Sequence, residues 1–256
     1  MSKGYAIALE VERDGPIAIA RLASPERGNS LGPVDLGRIA DLINDLAATN
    51  DVGVIVLTGK DGIFSAGAAL DALADSSADD MAAIVADQTG RLAAAISGSP
   101  VAIVAAVDGA AAGSGAGIAL LADILVMSSN ARLLFPFARL GLVPDTGINR
   151  SLIAAVGMAR ARALLMTGGS LSAEECLSLG LAETVVPADG LHDSVQKLSI
   201  KLAGVPRGTH GAIRALLASE EAEAGLLAEA RAQAERMRDP VTQAALTSAV
   251  ALLQGS

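Results

Sequence analysis

Two segments of very small side chains carry the chemistry of this chain. They are Phe64-Ser65-Ala66-Gly67-Ala68-Ala69-Leu70 and Val107-Asp108-Gly109-Ala110-Ala111-Ala112-Gly113-Ser114-Gly115-Ala116-Gly117. Each follows an apolar run of strand type, Val54 to Thr58 and Val101 to Val107. Side chains this small leave main-chain N–H groups open to a ligand. Two such groups converging on one point bind a carbonyl oxygen, and bind it more tightly as it becomes an oxyanion. The glycines of the second segment also suit close packing of a helix on a strand. A dinucleotide fingerprint is excluded, because Ile118 takes the last glycine position of G-x-G-x-x-G and no acid follows about twenty residues on. A serine-nucleophile elbow is excluded as well, because Ala112 stands at its first glycine. The stretch Gly141-Leu142-Val143-Pro144-Asp145-Thr146-Gly147 offers a carboxyl group. Asp145 stands just before a helical pattern, where it makes a good N-cap held ionised. Proton transfer at carbon wants the opposite shift, which an apolar wall of Phe135, Phe137, Leu142 and Val143 supplies by desolvation.

The pattern around these segments is one of strands alternating with helices. Ile7 to Glu12 and Ile17 to Leu22 read as a hairpin turning at Asp14-Gly15. Apolar Leu36, Ile39, Ala40, Ile43 and Leu46 recur at helical spacing over 33–48. A strand over 54–58, a helix near 80–97, a strand over 101–107, a short helix near 115–122 and a strand over 124–127 follow. Thr146 to Val156 and Ala159 to Met166 read as helices, and Ser172-Ala173-Glu174-Glu175 has the form of a capping box. Leu181 to Val186 reads as one more strand, stopped by Pro187. The expected class is α/β with crossover connections. Residues 1–190 form the α/β core, and 191–256 a helical region.

Composition narrows the partners. The 256 residues carry 28 carboxylates against 19 Lys and Arg, a net charge of −9. That argues against a nucleic-acid surface. Cys176 stands alone, so there is no internal disulfide, and two histidines are too few for most metal clusters. The most apolar stretch, 92–127, is cut by Asp108 and many glycines, so no membrane span is expected. With no leader pattern at the start, the expectation is a soluble, cytoplasmic protein without a metal.

Together the two small-residue loops resemble the paired oxyanion-hole loops of the enoyl-CoA hydratase/isomerase (crotonase) superfamily. Pro25-Glu26-Arg27-Gly28-Asn29-Ser30-Leu31 resembles that family's first CoA-contacting loop. Arg160 to Pro187, with Leu-Leu-Met-Thr-Gly and Leu-Gly-Leu-Ala-Glu-Thr-Val-Val-Pro, resembles the segment after its active site. The resemblance implies a spiral of ββα turns with C-terminal helices that cap the core or a neighbour, in a homotrimer or a dimer of trimers. It implies an acyl-CoA thioester as substrate and no tightly bound cofactor. The two oxyanion donors would be the N–H groups of Ala68 and Ser114. Arg27, Ser30, Ala66, Leu70 and Phe137 would line the substrate's path. Two departures are informative: the family hydratases' two glutamate positions fall on Gly117 and Phe137, so the usual hydratase mechanism is not available. In addition, Ala69 replaces a frequent Asp, and Asp71 falls where some members carry Lys. Gly-Leu-Val-Pro-Asp resembles superfamily isomerases, including ring-opening epoxide isomerases, where an Asp at this position shuttles the proton. It also resembles dehalogenases in which that Asp is a nucleophile, but one Tyr, three Phe and no Trp make a thin aromatic clamp. The expectation is an isomerase using Asp145. A non-catalytic acyl-CoA-binding paralogue and a hydratase with a non-standard site are the alternatives.

Overall fold

The computed structural model describes residues 5–75, 78–218 and 220–254. Its strands are β1 (Leu9–Asp14), β2 (Ile17–Leu22), β3 (Val54–Gly59), β4 (Ala102–Val107), β5 (Ala110–Ala112), β6 (Ile124–Ser128), β7 (Arg132–Leu134), β8 (Ser170–Ser172) and β9 (Thr184–Val186). A six-stranded sheet runs β1-β2-β3-β4-β6-β9, antiparallel at the β1–β2 hairpin and parallel beyond it. A small second sheet runs β5-β7-β8. The helices are α1 (Asp35–Ala48), α2 (Leu70–Asp75), α3 (Ala78–Ser97), α4 (Ser114–Leu121), α5 (Ile148–Thr167), α6 (Ala173–Ser178), α7 (Leu191–Ala203), α8 (Thr209–Leu217), α9 (Glu220–Arg238) and α10 (Pro240–Gln254).

The central strands are apolar throughout because both sheet faces are covered, as a parallel sheet requires. Along β3, Ile55 and Leu57 enter the main core, while Val54 and Val56 face Leu191 and Val195 of α7. Strand alternation assigns the two sets to opposite faces. On the main-core side, α1 buries its Leu36-Ile39-Ala40-Ile43-Leu46 stripe and packs along α3, which also carries α9. α4 and α5 pack on each other beside the small sheet.

Several boundaries shift for local reasons. β1 starts at Leu9 rather than Ile7, because the Ile7 N–H donates to the buried Asp35 carboxylate at 2.8 Å. The last strand shortens to Thr184–Val186, since the Leu181 and Ala182 N–H groups both donate to Cys176 O. The helical stretch after Asp145 begins only at Ile148, and Gly157 (φ 73°, ψ 162°) splits α5 between the two helices read from sequence. The capping box is present: Glu175 N donates to Ser172 Oγ at 3.2 Å and Ser172 N to Glu175 Oε2 at 2.9 Å. Cys176 is a buried core residue, its thiol pushed up to about 12 by desolvation.

Asp123 serves the fold. Its carboxylate accepts the Ile103 N–H at 2.8 Å and takes two bonds from Arg214 of α8, at 2.7 and 2.6 Å. Arg214 also donates to Ser99 O and Val101 O, so one guanidinium docks α8 on the end of the sheet. Arg214→Met should cost about 2 kcal/mol, the scale of charged hydrogen bonds lost from a part-buried site. Urea unfolding should register that loss, and hydrogen exchange should rise in α8 before it rises in β4.

Candidate active site

The two small-residue loops are zipped together by their backbones. Ala112 N donates to Ser65 O at 2.8 Å, while Phe64 N and Ser65 N both donate to Ala110 O. Ser65 and Ala111 form a parallel bridge. Ala68 and Ser114 each lie three residues beyond that bridged pair, so equal lengths of chain carry both to the same place. Gly67 is required at the crossing: it has φ +85°, and a Cβ there would stand 2.5 Å from Ala112 O.

The backbone accounting leaves the Ala68 and Ser114 N–H groups among those without an acceptor in the described residues. In the first loop Ala66 N donates to Gly28 O, Gly67 N to Ser65 Oγ, and Ala69 N to Leu31 O. Asn29 anchors this arrangement from the neighbouring turn, donating to Ile63 O at 2.6 Å and accepting from Ser24 N. Ala68 N has no acceptor among the described residues. Ser114 opens α4, and the carbonyl four residues back, Ala110 O, already takes two donors. Its N–H likewise has no acceptor among the described residues. A helix N-terminus adds partial positive charge at that point.

Both residues line a cavity of about 300 Å3, and Asp145 lines it too. Its other walls are mostly aliphatic or aromatic, including Leu31, Leu70, Phe137, Leu142 and Met237. Ala66, Leu70 and Phe137 thus reach the cavity. Arg27 and Ser30 lie outside its lining; the Arg27 guanidinium sits 6.0 Å from the Tyr5 ring centroid. Among the described residues no group of His, Cys, Asp and Glu side chains could hold a metal ion, and no helix is long and apolar enough to cross a membrane.

Asp145 is 3% exposed and does not cap the following helix. The N-cap of α5 is Gly147, without a side-chain cap. The Asp145 carboxylate instead accepts the Thr146 hydroxyl at 2.9 Å. Burial lifts its pKa to about 6, against the lowering effect of that bond. Thr146 is buried with φ +57°, a backbone state that a β-branched residue seldom adopts. Such strain gathers at functional sites.

The same Thr146 explains what happened at Gly117. A Cβ on Gly117 would meet Thr146 Cβ at 2.4 Å and Thr146 O at 3.0 Å. No side chain fits there, so a carboxylate on this turn of α4 is sterically excluded. At the second such position, Phe137 presents a buried ring to the cavity.

Sequence reading missed the groups that hold this loop from far along the chain. Glu229 of α9 accepts the Gly147 N–H at 2.8 Å, Gln233 accepts the Val143 N–H at 3.0 Å, and Arg236 donates to Gly141 O at 2.9 Å. Thr242 of α10 donates to the same carbonyl. The spacing 229, 233, 236 puts the three side chains on one helical face. That was the available signal: polar side chains at i, i+4 and i+7 within a helix whose surroundings read as solvated. Glu229 is raised to about 7 by burial, with the Asp145 charge adding to the shift and bonds from Gly147 and Asn149 opposing it.

The sequence profile described as enoyl-CoA hydratase/isomerase matches residues 12–247. The 2,3-dehydroadipyl-CoA hydratase of Escherichia coli K12 is 32% identical over 224 residues, 86% of this chain and 87% of the relative. The 1,2-epoxyphenylacetyl-CoA isomerase of the same organism is 32% identical over 203 residues, covering 78% of each. The crystal structure of an enoyl-CoA hydratase from Mycobacterium avium subsp. paratuberculosis K-10 superposes with a TM-score of 0.84 at 28% identity, over 93% of this chain and 97% of that one. The chain belongs to the enoyl-CoA hydratase/isomerase family and is an acyl-CoA-processing enzyme of that family. Its α/β architecture is the crotonase fold.

Two outcomes follow from the loop geometry. Gly117→Glu, which restores a hydratase carboxylate on paper, should cost about 3 kcal/mol through overpacking against Thr146 and give no gain in 2-enoyl-CoA hydration. Thermal melts and a hydration assay check both halves. The second concerns pH. Asp145 and Glu229 titrate higher in the folded chain than unfolded, so the folded state holds more protons between about pH 4 and about pH 7. Their contribution to stability is therefore full below the unfolded values and is lost as pH rises through about 6 and about 7. Asp145→Asn should flatten that decline in denaturant unfolding series run across the same range.

Proposed function

We propose that this enzyme is an enoyl-CoA isomerase that moves a double bond by a 1,3-proton shift. The thioester carbonyl oxygen accepts the N–H groups of Ala68 and Ser114, which acidifies the hydrogens at C2. Ionised Asp145 takes one of those protons from a 3-enoyl-CoA. The negative charge spreads over the dienolate and comes to rest on the oxygen, where the two N–H groups and the start of α4 stabilise it. Asp145 then returns the proton to C4, giving the conjugated 2-enoyl-CoA. A pKa near 6 suits this proton shuttle, because the group is mostly ionised at neutral pH yet is a stronger base than an exposed carboxylate.

One observation carries the reading. A single buried carboxylate, free of the helix cap, shares a cavity with two open N–H groups, while one hydratase position has no room for a side chain and the other holds Phe137. The relative named as an epoxyphenylacetyl-CoA isomerase supports an isomerase, and the relatives named as hydratases supply the rival outcome. In this reading CoA runs along 27–31 and 64–71, with Arg27 and Ser30 near its outer part and Ala66 and Leu70 along the pantetheine. The Ala66 N–H is already spent on Gly28 O, which leaves its carbonyl for the ligand. No tightly bound cofactor takes part, and the enzyme works in the cytoplasm. The assembly we propose is a homotrimer or a dimer of trimers, supported by the bare apolar face of Ile213, Leu216 and Leu217 on α8.

With 3-hexenoyl-CoA as substrate, Asp145→Asn should lower kcat about 10²–10⁴-fold and leave binding of the CoA ester in place. A wild-type rate in that variant overturns the assignment. Loss of conjugation from a 2-enoyl-CoA, without conversion of the 3-enoyl ester, would instead establish hydration. Binding without either reaction would establish a non-catalytic acyl-CoA carrier.

A further inference from the structure

The first N–H groups of an α-helix have no partner within it and need an acceptor from outside. At the start of α5 the Ile148 N–H finds the Asp145 carbonyl at 3.2 Å, but no neighbouring side chain serves as a cap. Gly147, at the N-cap, has no side chain, and the Thr146 hydroxyl is spent on Asp145. Asp145 is the nearest upstream carboxylate, and by sequence the natural cap. The structure fills the place with a residue 82 positions away: Glu229 Oε2 accepts the Gly147 N–H at 2.8 Å. Glu229 is 8% exposed, held between α9 and the helix start. A carboxylate at a helix N-terminus is favoured by the dipole as well as by the hydrogen bonds.

We propose that Glu229 is a positioning residue for the acid site: by taking the Gly147 N–H at the start of α5 from another helix, it leaves the Asp145 carboxylate bonded to the Thr146 hydroxyl at the cavity wall and not turned into the helix. The inference rests on the reading of Asp145 as the acid–base group. Two demands that one carboxylate cannot meet are divided between two. A cap must turn an oxygen into the helix start. A base at carbon must be desolvated and turned toward the ligand.

The division has an electrostatic consequence. Asp145 lies two residues before Gly147 and Glu229 bonds to it, both carboxyl groups are buried, and the Asp145 charge adds to the burial that disfavours ionisation of Glu229, an effect that is reciprocal by linkage. Other charged groups on the packed elements are engaged elsewhere or face outward. Arg91 of α3 pairs with Asp41 at 2.6 Å, Asp87 of α3 accepts from Gln88, and Arg236 pairs with Asp239 at 2.7 Å. Arg150 of α5 and Arg139 of the 136–140 turn are exposed, Arg139 at the cavity wall. α10 carries no ionisable side chain. Ionisation of Glu229 strengthens the cap and makes Asp145 a stronger base, so the rate should climb in two steps.

The test is the pH dependence of kcat and KM for 3-hexenoyl-CoA in the full-length wild type, Glu229→Gln, Glu229→Asp and Asp145→Asn, with melting temperatures alongside. Glutamine keeps an acceptor for the Gly147 N–H and removes the charge. Expected are a KM within about two-fold of wild type, a kcat down about 10-fold, and a pH profile reduced from two ionisations to one. Glu229→Asp, which keeps the charge on a shorter stem, should retain the second ionisation at reduced kcat, and it reads the same effect should the Gln variant fail to fold. An unchanged kcat and a two-step profile in Glu229→Gln overturn the proposal. So does a lowered melting temperature with the profile unaltered, which is the mark of a cap alone. Asp145→Asn separates the two levels. If it is inactive while Glu229→Gln behaves as wild type, only this inference falls; if it is as fast as wild type, the Asp145 reading falls first.

Discussion

The backbone bridge between Ser65 and Ala111 is the constraint on which the site depends. Three hydrogen bonds between 64–65 and 110–112 place two loops from different parts of the sheet in register. The Ala66, Gly67 and Ala69 N–H groups are consumed in holding that loop, and that of Ala68, a residue lining the cavity, is not. In the proposed reading, an oxyanion hole built this way needs no particular side chain at either donor. Ser114 therefore stands where a glycine would serve, because only its main-chain nitrogen is asked for. What the architecture does demand is small size at the crossing, and Gly67 against Ala112 is where that demand is absolute.

The parts of the fold legible in sequence are those whose burial writes a period. β2, β3, β4 and β6 show as apolar runs, α1 as a stripe, and α6 as a capping box, because each signal lies within a dozen consecutive residues. The small sheet was not legible. β5, β7 and β8 have three residues each, too few to show alternation, and β5 is alanine alone. α2 escaped for a similar reason, since its six residues follow directly on the donor loop. In the site, the donor loops and Asp145 were legible from local composition. Whether Asp145 caps a helix was not, because the answer is set by Glu229 more than eighty positions downstream. Long-range polar contacts leave no mark on the residues that receive them: nothing about Gly147 announces that its N–H will be met by another helix.

Gly117 and Thr146 show how packing can bar a side chain from one position. A carboxylate is absent from that turn of α4, and the space it would need is filled by a threonine in a strained conformation. The two features are mutually dependent. Thr146 reaches its place only because position 117 has no side chain, and from there its hydroxyl steadies Asp145. Returning the glutamate without moving Thr146 means a clash; moving Thr146 means losing the acid's partner. The cavity therefore presents one carboxylate, and this is the feature from which the proposed double-bond shift, needing a single group that gives back what it takes, is argued.

The acid's strength is a property of the docked C-terminal helices. Asp145 is raised by desolvation, and the cover comes in part from α9, whose Gln233 and Met237 line the same cavity. Glu229, Gln233 and Arg236 spend their hydrogen bonds on the backbone at 141, 143 and 147, so the helix that seals the site also sets the curvature of the loop bearing the acid. Burying two carboxyl groups opposes folding at neutral pH, and that cost is offset only while α9 stays packed along α3 and over the loop. Sealing, loop shape and proton affinity thus rise and fall with one packing event. The region from 191 onward lines the cavity through Gln233 and Met237, with no charged group among its lining residues.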